Sequence, residues 1–146
     1  MSMFSRLLVA YDGSPDSQKA LTRAAEFIAD DSDIQVDIVN VMYPPSMYLY
    51  SLYGSQLSQE VLQEVDEKAR QTILEAEELM DDYKDACQFI QLEGNARQEL
   101  IDYADEHAID LIIIGSRGLG AFKGMLLGSV SQHVVQNARC DVLVIK

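Results

Sequence analysis

The sequence of 146 residues predicts an α/β fold with an open, parallel, five-stranded sheet and helices on both faces. Two observations carry this prediction. Five short aliphatic runs alternate with four longer segments of helical periodicity, which is the pattern of βαβ units. The first run, residues 7–11, is apolar, as in a strand that is buried on both faces. We expect one domain over residues 1–146, because two separate cores in a chain of this length would each be marginal.

The first half of the chain contains two predicted strands and one predicted helix. After the first strand comes a turn at residues 12–13, and residues 14–15 then supply an N-cap serine and a proline at the first helical position. The acidic residues 30–33 close that helix, and residues 34–42 form the second strand. Residues 43–58 hold four tyrosines and make a long loop, which could lie over a ligand, form a partner surface or simply pack.

The second half of the chain contains three helical segments and three strands. Apolar residues at helical spacing and capping signals locate the helices, and short aliphatic runs locate the strands. The predicted elements are a helix over residues 57–84, a strand that includes residues 89–92, a helix over residues 95–107, a strand over residues 110–115, a helix over residues 128–138 and a strand over residues 140–146.

Right-handed crossovers and a strand order of 3-2-1-4-5 would create a switch point between the first and fourth strands. Ligands of open α/β sheets bind at such a point, beyond the carboxyl ends of the strands. Asp12 follows the first strand and Gly115 ends the fourth, so we expect both residues beside one crevice.

The composition excludes several partners. With 11 Lys+Arg against 24 Asp+Glu, the formal net charge is −13. Such a surface repels nucleic acid backbones and anionic membranes, so we expect neither as a partner. Cys87 and Cys140 lie in no CxxC or Cys/His cluster, which indicates core thiols in a reducing compartment and no metal site. There is no signal-peptide pattern and no run of roughly 18 apolar residues, and we therefore expect a cytoplasmic protein.

One segment departs from the acidic character of the chain. Residues 115–130 contain five glycines and two basic side chains, and residues 111–140 contain no Asp or Glu at all. Neither GxxxxGK[ST] nor GxGxxG is complete in this segment, which excludes the two standard phosphate motifs. The segment is therefore either an unusual phosphate-binding loop or a glycine-rich surface loop that merely turns.

The glycines have a definite spacing, Gly115-x₂-Gly118-x₉-Gly128-Ser129. Gly115 and Gly118 have no Cβ to obstruct close backbone approach. Gly128 and Ser129 begin the last predicted helix, whose unpaired N–H groups and dipole favour an anion. The Ser129 hydroxyl would either cap that helix or donate to a phosphate oxygen, and Arg117 would add positive charge.

This spacing resembles the G-2x-G-9x-G-(S/T) signature of the nucleotide-binding branch of the universal stress protein family. The opening LLVAYDGSPDSQKAL, the segment DLIIIGSRG and the closing CDVLVIK are similar to the same family, so the resemblance covers nearly the whole chain. The resemblance implies a Rossmann-like fold of the adenine nucleotide alpha hydrolase type, with ATP in the crevice. It also implies a homodimer that pairs through the last strand, Cys140 to Lys146.

The resemblance further implies a role for each residue of the site. Asp12 would contact the ribose or adenine side of the nucleotide, and the backbone around Val41 would receive the adenine. The residues implied to hold the phosphates are Gly115, Arg117, Gly118, Gly128, Ser129 and Val130. Asp12 could also help to order Mg²⁺ through water, since Mg²⁺ commonly bridges triphosphate oxygens to one carboxylate.

Three functions remain open at this point. The first is an ATP-loaded dimer that regulates a stress response through an unknown protein partner, with at most slow hydrolysis, because no catalytic residue for fast phosphoryl transfer can be identified. The two histidines, His107 and His133, lack partners at metal-ligand spacing, and neither is assigned a catalytic role. The second is an ATPase or a nucleotidyl transferase, although a His-x-Gly-His-type motif is missing. The third is a dimeric interaction module with a vestigial pocket.

Overall fold

A computed structural model describes residues 2–42, 59–119 and 126–146. The strands are β1 (Arg6–Ala10), β2 (Gln35–Met42), β3 (Cys87–Glu93), β4 (Leu111–Gly115) and β5 (Asp141–Ile145). The helices are α1 (Pro15–Asp30), α2 (Gln59–Leu79), α3 (Ala96–Glu106) and α4 (Ser129–Asn137), and a 3₁₀ helix spans Asp81–Ala86. The tyrosine-rich loop predicted over residues 43–58 lies outside the described residues.

The five strands form one parallel sheet in the order β3-β2-β1-β4-β5, which confirms the predicted topology. The strand β1 lies at the centre of the sheet, where Val9 pairs with Ile38 of β2 on one side and with Ile113 of β4 on the other. All three side chains are fully buried, as expected for central strands of a parallel sheet that is covered on both faces. The strands β2 and β3 are added on one side of β1, and β4 and β5 on the other side. The switch point therefore lies between β1 and β4.

Two apolar layers hold the helices against the sheet. On one face, α1 and α2 pack through buried residues such as Leu21 and Ala76 against strand residues such as Val9 and Ile38. On the other face, α3 and α4 pack through Leu100 and Val134 against the intervening strand residues. Because side chains alternate between the two faces of a strand, each short aliphatic run supplies both layers.

The helix predicted over residues 57–84 ends earlier than expected. The α-helix covers Gln59–Leu79, and the chain then tightens into the 3₁₀ helix Asp81–Ala86, where Tyr83 has a non-helical φ of −121°. Two physical reasons account for this end. Aspartate-rich sequence such as DDYKDA has a low helix propensity, and the chain must already be extended at Cys87 to pair with Val36 of β2. The third strand consequently begins two residues before the predicted run.

Across the residues that the structure describes, no helix is both long and apolar enough to span a bilayer.

Candidate functional site

A crevice of about 360 Å³ lies at the carboxyl ends of β2, β1 and β4, where the switch point predicts a ligand site. All eight residues that the sequence analysis assigned to the site line it: Asp12, Val41, Gly115, Arg117, Gly118, Gly128, Ser129 and Val130. The sheet order brings them together, because the connections that follow β2, β1 and β4 leave the same edge of adjacent strands. The two histidines considered above, His107 and His133, are not among the lining residues.

The walls of the crevice differ from one end to the other. At the β2 end, the lining residues are apolar and include Val39, Val41, Ala96 and Leu100. At the β4 end, glycines and the start of α4 line the crevice. Among the described lining residues, the charged side chains are Asp12 and the exposed Arg117. The crevice therefore combines an apolar end with a backbone-rich end, which suits a ligand with an apolar group and a polar tail.

The carboxylate of Asp12 already has protein partners. Its Oδ1 accepts a hydrogen bond from the Ser14 N–H at 2.9 Å, and its Oδ2 accepts one from the Leu119 N–H at 3.1 Å. The first bond shapes the turn that contains Gly13 (φ +85°), and Ser14 then caps α1 by accepting from the Ser17 N–H at 3.2 Å. Asp12 thus ties the connection after β1 to the connection after β4, in addition to facing the crevice.

The first two glycines of the motif are required by close packing within the protein. A Cβ on Gly115 would lie 2.7 Å from the Cβ of Asp16 and 2.9 Å from its carbonyl carbon, because the first turn of α1 presses against the end of β4. A Cβ on Gly118 would lie 2.6 Å from Oδ2 of Asp12. Both glycines line the crevice, and the atoms that exclude a side chain from them belong to α1 and to the turn before it.

Gly128 has a different environment. Its φ of −69° and ψ of 165° are open to any residue, and a Cβ would meet its nearest neighbours only at 3.5 Å. Gly128 is the N-cap of α4, with no side-chain hydrogen bond to the helix, and Ser129 is the first helical residue. Of the two alternatives for the Ser129 hydroxyl, capping the helix is therefore wrong, and donation to a ligand by its exposed side chain remains a prediction.

The start of α4 opens onto the crevice. The first N–H groups of any α-helix have no partner within the helix, and the helix dipole makes that end attractive to an anion. Ser129 and Val130 carry such N–H groups, and both residues line the crevice. No acidic residue lies in the first turn to neutralise them. This end of the crevice is therefore electrostatically suited to a phosphate.

The backbone of Val41 faces the crevice at the opposite end. Alternate residues of a parallel strand bond to opposite neighbouring strands. The Val39 carbonyl accepts from the Tyr11 N–H at 2.9 Å on the β1 side, and the Met42 carbonyl accepts from the Gly94 N–H at 2.9 Å on the β3 side. Val41 therefore faces the β1 side, where β1 has already ended. Among the described strands, none pairs with Val41 on that side, so within this part of the chain its N–H and C=O have no strand partner there.

Several residues that shape the site were not identified from the sequence. Ser116 and Ser131 are buried beside the loop, and the Ser131 Oγ donates to the Ser116 carbonyl at 2.8 Å. Asn40 is buried at the β2 end, donates to the Tyr11 carbonyl at 2.8 Å and accepts from Gln91. Short polar residues at the ends of apolar strands were the available signal, but their partners lie on elements that are distant in sequence.

Tyr11 also contributes to the crevice wall without a titratable role. Burial, and secondly the nearby Glu75 carboxylate, raise the pKa of Tyr11 to about 12. The phenol therefore stays neutral at physiological pH and is unsuited to act as a base. Among the described residues, no group of three or more His, Cys, Asp or Glu side chains is arranged to hold a metal ion.

Comparisons with known proteins agree with this fold. Residues 3–146 match the model of the universal stress protein family. Universal stress protein YxiE of Bacillus subtilis (strain 168) is 32% identical over 149 residues, which cover 99% of this chain and 100% of that protein. The solved structure of universal stress protein UspA from Lactobacillus plantarum is 25% identical, covers all of both chains and has a TM-score of 0.82. A crystal structure of a universal stress protein in complex with cAMP is 26% identical, covers 99% of both chains and has a TM-score of 0.74.

Proposed function

The chain belongs to the universal stress protein family, and we propose that its crevice binds an adenine nucleotide, with ATP as the ligand. The observation that carries the proposal is that, among the described residues, two backbone segments without a strand or helix partner face each other across one crevice. Val41 offers an N–H and a C=O at the apolar end, and the start of α4 offers N–H groups at the other. A nucleotide has a planar hydrogen-bonding edge and an anionic tail, and it fits this order. The structurally similar protein solved with cAMP supports an adenine nucleotide as the class of ligand.

Within this proposal, each lining residue has a distinct task. The apolar side chains of Val39, Val41 and Leu100 would pack against the base, while the Val41 backbone would pair with its edge. The N–H groups of Ser129 and Val130 would bind phosphate oxygens at the dipole of α4. The side chain of Arg117 is exposed, and its guanidinium would contact the terminal phosphate at the solvent-facing side of the crevice.

We also propose where Mg²⁺ would lie if it accompanies the triphosphate. Each Asp12 oxygen accepts one N–H bond, and a carboxylate oxygen has room for a second partner. A water-mediated contact from Asp12 to Mg²⁺ is therefore compatible with the turn it supports. Each Asp12 oxygen would then accept a second hydrogen bond, one from the ribose and one from a water bound to the metal.

We further propose that the protein acts as a homodimer in the cytoplasm and regulates a stress response through a protein partner. The strand β5 is an edge of the described sheet, and its residues Val142, Leu143 and Val144 are only half-buried. An exposed aliphatic edge strand favours pairing with a second copy. The cysteines Cys87 and Cys140 are free thiols, as in a reducing compartment. Sedimentation of the purified protein as a monomer at micromolar concentration would contradict the dimer.

The nucleotide proposal is tested by denaturing freshly purified protein and identifying by chromatography what it releases. We expect ATP or ADP near one molecule per chain. In Gly128→Asp, a carboxylate at the N-cap of α4 should repel phosphates, and we expect the nucleotide to be lost. Gly128→Ala is the matched control, because its Cβ meets neighbours only at 3.5 Å and adds no charge.

The outcomes separate the competing functions. Wild-type protein that is empty and also fails to bind added ATP would contradict the proposal and favour an interaction module with a vestigial pocket. Bound nucleotide with turnover comparable to that of metabolic enzymes would instead favour a genuine ATPase. Equal loss of nucleotide in Gly128→Ala and Gly128→Asp would show that charge at the start of α4 is not the cause.

A further inference from the structure

The carboxylate of Asp16 lies under the loop that follows β4, although Asp16 does not line the crevice. We propose that Asp16 is a positioning residue, which holds this loop and the start of α4 in the geometry that a phosphate requires. The inference rests on the proposed nucleotide function, because it assigns a task to a residue that acts on the phosphate through the loop.

The contacts of Asp16 are specific and partly shielded from water. Its Oδ2 accepts from the Ser116 hydroxyl at 3.0 Å and from the Arg117 N–H at 3.3 Å. Its side chain is only 14% exposed, whereas Lys19, whose Nζ lies 3.9 Å from Oδ1, is 60% exposed. So exposed an ion pair contributes little, and the two bonds from the loop are the contacts that matter.

Ser116 passes this constraint on to α4. Its carbonyl accepts from the Gly128 N–H at 2.6 Å and from the Ser131 hydroxyl at 2.8 Å. Its own N–H donates to the Ile145 carbonyl at 2.7 Å. One residue therefore joins α1, β5 and the N-cap of α4, and it is Asp16 that holds the Ser116 hydroxyl.

The carboxylates also decide which N–H groups are left for a ligand. Asp16 occupies the Arg117 N–H, and Asp12 occupies the Leu119 N–H. An anion in the crevice is thereby directed to the N–H groups of Ser129 and Val130, which have no partner among the described residues. A second carboxylate so near a phosphate site is electrostatically unfavourable for binding, so the role of Asp16 must lie in accepting hydrogen bonds rather than in its charge.

This distinction between acceptor and charge defines the test. In Asp16→Asn, the amide Oδ1 can accept the same two bonds without the charge, whereas Asp16→Ala removes the acceptor. Calorimetric titrations with ATP and with adenosine separate the phosphate end from the base end. Glu26→Ala is the control, because it removes a carboxylate from the same helix at a side chain that is 64% exposed.

We expect Asp16→Ala to weaken ATP binding by at least about ten-fold, on the scale of two lost hydrogen bonds, and to leave adenosine binding within about two-fold. Asp16→Asn should stay within about three-fold of wild type for both ligands, and Glu26→Ala should match wild type. Unchanged ATP binding in Asp16→Ala overturns the proposal. Equal weakening of ATP and adenosine, or an Asn variant as weak as the Ala variant, overturns it as well.

A second measurement needs no ligand. Amide hydrogen exchange at Arg117 should be faster in Asp16→Ala than in wild type and unchanged in Asp16→Asn, because only the alanine leaves the Arg117 N–H without an acceptor. Identical exchange in all three proteins contradicts a holding role for Asp16. If wild type binds neither ATP nor adenosine, the proposed nucleotide function fails, and the exchange data still decide whether Asp16 holds the loop.

Discussion

The two ends of the glycine loop share a motif but differ in what surrounds them. At the β4 end, a side chain on Gly115 or Gly118 would run into α1 or into Asp12 at 2.7 and 2.6 Å. At the α4 end, a Cβ on Gly128 would lie 3.5 Å from its nearest neighbours among the described residues. The first two glycines are therefore required by packing within the protein, whereas the third, within the described part of the chain, stands at ordinary contact distance beside N–H groups at the start of α4. The motif therefore has two parts: Gly115 and Gly118 are needed for packing within the protein, and Gly128 stands at the start of α4, where we propose that the phosphates bind.

The largest difference between the two ends is expected when one methyl group is added at each. In Gly115→Ala, the new Cβ conflicts with backbone and Cβ atoms of α1, which cannot rotate away, and we expect a loss of about 3 kcal/mol in the free energy of unfolding, at the upper end of overpacking costs. In Gly128→Ala, we expect a change within about 0.5 kcal/mol, because no contact falls below 3.5 Å. Urea unfolding measures both values. Similar losses in the two variants would show that the ends do not differ.

A smaller effect is expected at Gly118, where the conflicting atom is the tip of a side chain. In Gly118→Ala, the Asp12 carboxylate can move, at the expense of its bond from the Leu119 N–H. We expect a cost of about 1 kcal/mol in the free energy of unfolding and about five-fold weaker ATP binding. The double variant Asp12→Ala/Gly118→Ala tests the route. If the cost of Gly118→Ala arises through Asp12, adding Gly118→Ala to Asp12→Ala should cause little further loss of stability or of ATP binding. Fully additive losses would argue against this role of Asp12.

The fold could be predicted from the sequence to a large extent because its signals are local. The aliphatic runs of β1 and β4 and the cap at Ser14 each specify their own element, and the alternation of strands and helices then limits the topology. The end of α2 could not be predicted in the same way. Its change to a 3₁₀ helix follows from the pairing of Cys87 with Val36, which lies on a different strand.

The site could be predicted in its membership but not in its internal contacts. The spacing from Gly115 to Ser129 selects the residues that line the crevice. The bond from the Ser116 hydroxyl to Asp16 spans 100 positions of the sequence and exists only because α1 packs against the end of β4. Gly115 lines the crevice, and its tertiary contact with α1 is a second physical reason for glycine at this position that the loop sequence alone does not show.

The most direct measurement is a crystal structure of the protein with ATP. The division between the two ends of the loop predicts phosphate oxygens within hydrogen-bonding distance of the Ser129 and Val130 N–H groups. It also predicts that Asp16 and Asp12 keep their bonds from the Arg117 and Leu119 N–H groups. Phosphates bound instead to the Arg117 and Leu119 N–H groups, with both carboxylates displaced, would contradict it.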